Sequence, residues 1–205
     1  KSRAAASGEW TVALFQTRTS NEIVTQTNLG GRSTFQNAGA TLRTGFELGW
    51  SQYFAQNLRA QVAYTLLNAT YRDAFSTCAT VPCAVPGLVI PSGNRIPGVA
   101  RTSLFAAFNW MPPTGWRAGA ELRQVGRVHV NDANSDAATG YTVVAANLGY
   151  SLQAGRWELG SFIRVDNLFA RRYAGSVIVN QGNGRYFEPA PARTWLAGAN
   201  ATLAF

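Results

Sequence analysis

PARTWLAGANATLAF, residues 191–205, is the stretch whose reading decides the fold. Counting back from the terminal aromatic, Phe205, Leu203, Ala201, Ala199, Ala197 and Trp195 share one face of an extended strand, while Ala204, Thr202, Asn200 and Thr194 share the other. Successive strand side chains point to opposite faces, so this period of two describes a ribbon apolar on one side and small or polar on the other. Two environments accept such a ribbon: the edge of a soluble sandwich, or a membrane in which one face meets lipid.

The preceding segments favour lipid. In residues 116–130 the even positions Trp116, Ala118, Ala120, Leu122, Gln124, Gly126, Val128 and Val130 oppose Arg117, Gly119, Glu121, Arg123, Val125, Arg127 and His129. Leu58, Ala60, Val62, Tyr64 and Leu66 oppose Arg59, Gln61, Ala63 and Thr65; Phe46, Leu48 and Trp50 oppose Glu47, Gly49 and Ser51; Leu159, Ile163 and Val165 oppose Glu158, Arg164 and Asp166. A soluble sandwich also alternates, but rarely lines its second face with so many arginines. Membrane strands need about 9–11 residues of this pattern with aromatics near the interfaces.

Eight strands are expected, at residues 9–26, 38–54, 57–75, 97–111, 115–130, 140–153, 156–172 and 190–205. Tight connections at Ala55-Gln56, Pro112-Pro113-Thr114 and Ala154-Gly155 alternate strictly with long ones at residues 27–37, 76–96, 131–139 and 173–189. All short turns therefore fall at one end and all long loops at the other, as outer-membrane barrels arrange periplasmic turns and extracellular loops. The expected fold is an all-β antiparallel transmembrane meander with the C-terminus on the periplasmic side.

Composition agrees. Charged residues make up 14% of the 205 residues, and no apolar run approaches the ~18 residues of a membrane helix, so any span must be built from strands. The N-terminus, KSRAAASGEW, shows no hydrophobic signal region, so the chain is expected to be mature, truncated or excised. The net charge of +8 comes almost wholly from arginine, Lys1 being the sole lysine. These arginines are scattered rather than gathered with aromatics, which argues against nucleic acid. Arg59, Arg117, Arg123, Arg127 and Arg164 belong to a polar lumen wall beside Glu47, Glu121 and Glu158, and Arg32, Arg95, Arg171, Arg172 and Arg185 to strand ends and loops, within reach of outer-leaflet phosphates or an anionic ligand.

Cys78 and Cys83, in CATVPC, are spaced for a local disulfide, which fits an oxidising compartment. A metal site would need more ligands than these two thiols, and no histidine lies nearby. A catalytic search finds one histidine, His129, with Asp132 and Ser135 as conceivable partners for a barrel enzyme, but no GxSxG or HExxH accompanies it. A solvent-touching polar histidine is the simpler reading, and no enzyme activity is expected.

The order NEIVTQTN, FQNAG-x-x-x-R-x-G-x-E-L (35–48), AYTLLNATY (63–71), GNRIPGVAR (93–101), NDAN (131–134), GYTVV (140–144), VDNLFARRYAGS (165–176) and NGRYFEPAPARTW (183–195), ending in Phe205, resembles the C-terminal part of a TonB-dependent outer-membrane receptor, the family that imports ferric siderophores. Ala100 stands where the family's GNRIPGVPR-type segment has a second proline.

The resemblance implies a barrel of about 22 strands around an N-terminal plug, of which this chain would be the last third without the plug or TonB-binding segment. It also implies residence in the outer membrane of a Gram-negative bacterium, contact with lipopolysaccharide, energisation through TonB-ExbB-ExbD, and an iron(III)-siderophore complex as ligand. Ligand contacts are expected in the long loops, at Arg95, Asn134, Tyr173, Arg185 and Tyr186, where arginine pairs with carboxylates and tyrosine stacks on catecholates. Trp195, Leu203 and Phe205 would form the C-terminal pattern read by the barrel assembly machinery. A small eight-stranded structural or adhesive barrel is the alternative. Exposed sheet edges would favour association unless the strands close or missing strands are supplied.

Overall fold

The computed structural model describes residues 8–55, 57–78, 82–83 and 85–204. Eight long strands form one antiparallel sheet: β1 (Gly8–Thr19), β4 (Thr41–Ala55), β5 (Leu58–Tyr71), β8 (Thr102–Trp110), β9 (Gly115–Val125), β12 (Tyr141–Ala154), β13 (Trp157–Asp166) and β16 (Thr194–Leu203). Each pairs with the next in chain order, giving an uninterrupted meander with β1 and β16 as its edges. No bridge joins those edges among the described residues, so the strands form an open section of wall.

Register carries the alternation unbroken across this wall. Trp10 lies opposite Trp50, Trp50 opposite Val62, Val62 opposite Ala106, Ala106 opposite Leu122, and Leu122 opposite Val144. Leu148 lies opposite Ile163, and Ile163 opposite Ala197. One face is therefore a continuous apolar sheet with Trp10, Trp50, Phe54, Trp110, Trp116, Tyr150 and Trp195 on it. Trp10 packs on Trp50 at 5.6 Å between ring centroids, and Trp116 edge-on to Tyr150 at 5.2 Å. Trp10 is 67% and Leu14 80% exposed. Such a face is a liability in water and the required surface in lipid.

The opposite face is ionic and small. The Arg164 guanidinium donates to both Glu121 carboxylate oxygens at 2.8 and 2.9 Å and to Asp166 at 2.9 Å. Arg117 donates to the Pro112 and Pro113 carbonyls, fastening the β8–β9 turn.

The long loops are built rather than loose. Four two-stranded ribbons stand at one end: β2 (Ile23–Leu29) with β3 (Arg32–Asn37), β6 (Phe75–Thr77) with β7 (Leu88–Ile90), β10 (Val128–His129) with β11 (Ala137–Ala138), and β14 (Ala174–Val177) with β15 (Phe187–Pro189). Beneath them sits the apolar core of the described residues, in which Ala38, Ala69, Tyr71, Ile90 and Ile96 are buried together.

Several expected strands stop early. The strand expected over 9–26 breaks at Asn21, whose φ of 55° ends extended geometry, and Glu22 then bonds to Gly39 instead of continuing along β4. The strand expected from residue 97 begins at Thr102, because Pro97 lacks an N–H and Gly98 turns at φ 77°. Outward alternation along 116–130 holds to Gln124 and then fails: Val130 is fully buried under the loops rather than facing lipid. The strand expected to residue 172 ends at Asp166, where Asn167 takes φ 51°.

Candidate functional site

The loop end closes around one carboxylate. Asp132 is buried, and the equally buried Tyr71 Oη donates to its Oδ1 at 2.6 Å while Asn180 Nδ2 donates to its Oδ2 at 2.9 Å. The Asp132 N–H donates back to Asn180 Oδ1 at 3.1 Å, and Asn94 Nδ2 donates to the Asp132 carbonyl at 2.8 Å. Asn180 also reaches the β2–β3 ribbon, donating through Nδ2 to the Thr25 carbonyl at 2.7 Å and accepting the Asn28 N–H on its own carbonyl at 3.0 Å. Residues from all four long connections or their adjoining strands thus meet at one point. Burial pushes the Asp132 carboxyl up, and the bonds from Tyr71 and Asn180 oppose that shift.

Above this clasp lies a polar cleft of about 200 Å³, lined by Gln26, Thr77, Cys78, Asn131, Asp132, Ser135, Gln181 and Tyr186 among others. Thr77 Oγ1 and Gln181 Oε1 are buried without a partner among the described residues, leaving polar capacity for a ligand or water. Cys78 and Cys83 are joined as a disulfide with Cα atoms 5.9 Å apart, and Gln26 leans on the Cys78 sulfur at 3.8 Å.

A second cleft, of about 320 Å³, opens on the inner wall between Glu121, Arg123, Arg164, Asp166 and Tyr173. Arg164 is consumed by its two carboxylates. Arg123 lies over the Phe105 ring at 5.8 Å and has no ion-pair partner among the described residues. Tyr173 stacks on Tyr141 with centroids 4.0 Å apart.

The residues singled out from sequence divide between these places. Tyr186 lines the mouth cleft and Tyr173 the inner one. Arg185 is exposed on the same turn as Tyr186, its N–H held by Asn183 Oδ1 at 2.9 Å. Asn134 is a loop brace: its side chain accepts the Arg95 N–H at 2.7 Å and donates to the Arg95 carbonyl at 2.9 Å. Arg95 bridges Thr70, which puts its side chain on the outward side of β5, where it donates to Asn68 Oδ1 at 3.0 Å. Trp195 stands 63% exposed on the apolar face, and Leu203 ends β16 opposite Trp157. Phe205 lies outside the described residues.

No triad forms around His129 among the described residues. Both Asp132 oxygens are taken, the Ser135 hydroxyl accepts from Asn131 Nδ2 at 2.9 Å, and His129 Nδ1 has no partner among the described residues. Burial, with Arg95 and Arg127 nearby, pushes the imidazole down. Asp132 and Asn180 are the residues whose role sequence reasoning missed. Asp132 sits inside NDAN, yet nothing local marks either as the point where loops meet.

An antiparallel wall that is apolar outside, ionic inside, ribboned at one end and tightly turned at the other is a section of an outer-membrane β-barrel. The family model for the TonB dependent receptor-like β-barrel matches residues 4–168, and the chain belongs to that family, whose barrels reside in the outer membrane of Gram-negative bacteria. The fold is similar to that of the siderophore receptor PiuA from Acinetobacter baumannii, at TM-score 0.73 and 21% identity over 95% of this chain and 26% of that one. It is also similar to the ferric yersiniabactin uptake receptor FyuA from Yersinia pestis, at TM-score 0.68 and 22% identity over 97% of this chain and 28% of that one. The copper transporter OprC shares the fold at TM-score 0.61 and 17% identity, over 97% of this chain and 28% of that one. This chain thus spans roughly a quarter of the length of these structures.

Proposed function

We propose that residues 1–205 form the C-terminal barrel segment of a receptor that imports a chelated metal, with an iron(III)-siderophore complex as substrate. The observation that carries this reading is the family match over residues 4–168, on a sheet whose ribbons close into a polar mouth. In the full receptor this segment supplies about the last third of a barrel of roughly 22 strands, around a plug contributed by another part of the protein. The chelate binds at the loop face, and TonB, energised by ExbB-ExbD from the inner-membrane proton gradient, rearranges the plug to release it inward.

Within this segment Arg185 and Tyr186 meet the chelate at the mouth, and Tyr173 with Arg123 meets it deeper in the lumen. Both pairs join a cation or donor to an aromatic ring, which suits carboxylate or catecholate groups around iron. Arg95 and Asn134 serve by holding their loops. The barrel assembly machinery recognises the strand that carries Trp195, Leu203 and Phe205.

The test is uptake of radiolabelled iron, delivered on a panel of catecholate, hydroxamate and carboxylate siderophores, in a receptor-deficient strain complemented with the full-length receptor. Copper is included because OprC shares the fold. One ferric chelate is expected to enter in a TonB-dependent manner, and Arg185→Ala to weaken its binding on the order of tenfold at unchanged surface level. Transport of copper alone, or of no ferric chelate, overturns the substrate. Unchanged affinity in both Arg185→Ala and Tyr186→Ala rejects the residues while leaving the family assignment standing.

A further inference from the structure

We propose that the polar mouth cleft binds a sugar ring, a neutral group rich in hydroxyls, rather than the acidic groups that hold iron. The inference deepens the import reading, on which it rests for the cleft being part of the entry face. Its starting point is a pair of buried oxygens. Thr77 is 4% exposed, its Oγ1 and the buried Gln181 Oε1 have no hydrogen-bond partner among the described residues, and both residues line the cleft. Buried polar groups are almost always paired, so two unpaired ones at one small cleft mark a place that a ligand completes. A ligand hydroxyl reproduces there the bonds that water makes.

Both oxygens are held in place by the fold. Thr77 ends β6 opposite Leu88, and the Cys78–Cys83 disulfide closes the chain directly after it. Gln181 forms a parallel bridge with Asn28, fastened by the Asn28 N–H on the Asn180 carbonyl at 3.0 Å and the Gly182 N–H on the Asn28 carbonyl at 2.7 Å. Groups fixed before binding lose little freedom when a ligand arrives.

Charge and hydrogen bonding decide the chemical class. Among the described residues no arginine or lysine lines the cleft, and its acidic residue, Asp132, has both oxygens occupied. The chain between the two cysteines, residues 79–82, carries no charge either. An anion entering here meets a carboxylate and no cation, whereas the inner cleft sets Arg123 and Arg164 on its wall. The iron-binding acids therefore suit the inner cleft, and the mouth cleft suits a neutral group. Gln181 Oε1 accepts only, the Thr77 hydroxyl accepts or donates, and Ser135 Oγ, which accepts from Asn131 Nδ2 at 2.9 Å, keeps its proton to donate. The occupant must both give and take hydrogen bonds, as hydroxyls do. Tyr186, Leu88 and Ala133 add apolar surface for the C–H faces of a ring. At about 200 Å³ the cleft is smaller than the roughly 300–1,000 Å³ of a pocket for a drug-sized ligand, so it takes one ring and not a whole chelate.

The experiment places the full-length receptor in phosphatidylcholine nanodiscs, free of sugar-based detergent, and reads binding by saturation-transfer NMR. The probes are the methyl α-pyranosides of glucose, galactose and mannose, each beside its uronic acid, which puts a carboxylate on the same ring. At least one hexoside is expected to bind, and its uronic acid to bind on the order of tenfold more weakly. Thr77→Val and Gln181→Leu should each weaken that hexoside on the order of tenfold. Thr77→Val keeps the side-chain shape and removes an unpaired buried hydroxyl, so thermal stability is expected to hold or rise; a purely structural threonine predicts a fall. Binding of no hexoside, equal binding of hexoside and uronic acid, wild-type binding by Thr77→Val, or a loss of stability in that variant overturns the site. A ferric tris-catecholate bearing or lacking a C-linked hexose of the kind bound distinguishes the sources. Tighter binding of the glycosylated chelate, lost in Thr77→Val, assigns the sugar to the imported chelate, and equal binding of the two assigns it to a free saccharide. Radiolabelled iron uptake in cells carrying the same receptor separates the two readings: ferric uptake without hexoside binding overturns this site alone, and hexoside binding without uptake of any ferric chelate overturns the iron reading alone.

Discussion

Tyr71 donates a 2.6 Å hydrogen bond to Asp132, joining the last residue of β5 to a loop 61 residues further along the chain. The bond is buried, and Asn180 closes the other side of the same carboxylate. The mouth of this barrel segment is therefore organised by a single acid with one donor from a strand end and another from a separate loop.

Tyr71→Phe keeps the ring, which packs edge-on to Phe75 at 4.8 Å, and deletes only the donor. A buried acceptor left one partner short costs about 1–3 kcal/mol. The expected outcome is faster amide exchange in residues 128–138 and 178–182, with the strands of the sheet unchanged. Hydrogen-exchange mass spectrometry of the receptor in detergent reads this directly.

The clasp also has a pH signature with a definite sign. Burial raises the Asp132 pKa in the folded state, so the folded form binds the proton more tightly than the unfolded one. Its contribution to stability is full below the ordinary carboxylate range and is lost as pH rises through the folded-state pKa. Glu22 behaves oppositely. Hydrogen bonding from Arg43, ahead of the opposing effect of burial, lowers its pKa, so its contribution is present above the ordinary range and is lost on acidification. Exchange protection around residue 132 is expected to rise on mild acidification while that around residue 22 falls, and Asp132→Asn should abolish the first trend without touching the second.

Gly140 opens the GYTVV segment for a steric reason. A Cβ there would lie 2.8 Å from the Val125 carbonyl oxygen and 3.1 Å from the Gly126 carbonyl carbon, and backbone cannot step aside as a side-chain tip does. Gly140→Ala is expected to cost about 1–3 kcal/mol and to disturb the upper ends of β9 and β12. Urea-dependent loss of heat-modifiable mobility gives the comparison with wild type.

Deletion of Phe205 tests assembly apart from transport. The terminal aromatic continues the parity of Trp195, Ala197, Ala199, Ala201 and Leu203, the outward face of β16. Recognition of this pattern during insertion predicts lower outer-membrane abundance with periplasmic precursor accumulating, and normal chelate binding by whatever inserts. Normal insertion with poor binding would assign the residue to the barrel interior instead.

The two faces of the wall were legible in the sequence because strand alternation is a local property. Trp116, Ala118, Ala120 and Leu122 declare their common side with no knowledge of their neighbours, and tight turns such as Ala154-Gly155 then force antiparallel pairing in chain order. Strand ends were not legible, since they depend on a left-handed backbone at Asn21 and Asn167, residues that also occur within strands. Nor was the direction of Arg95: one backbone bridge to Thr70 decides that it leaves the lumen and faces outward. The mouth itself is wholly tertiary. Asp132, Tyr71 and Asn180 lie 61 and 48 residues apart, with no periodicity linking them, and only the return of successive hairpins to the same end of the sheet brings one carboxylate within reach of both donors.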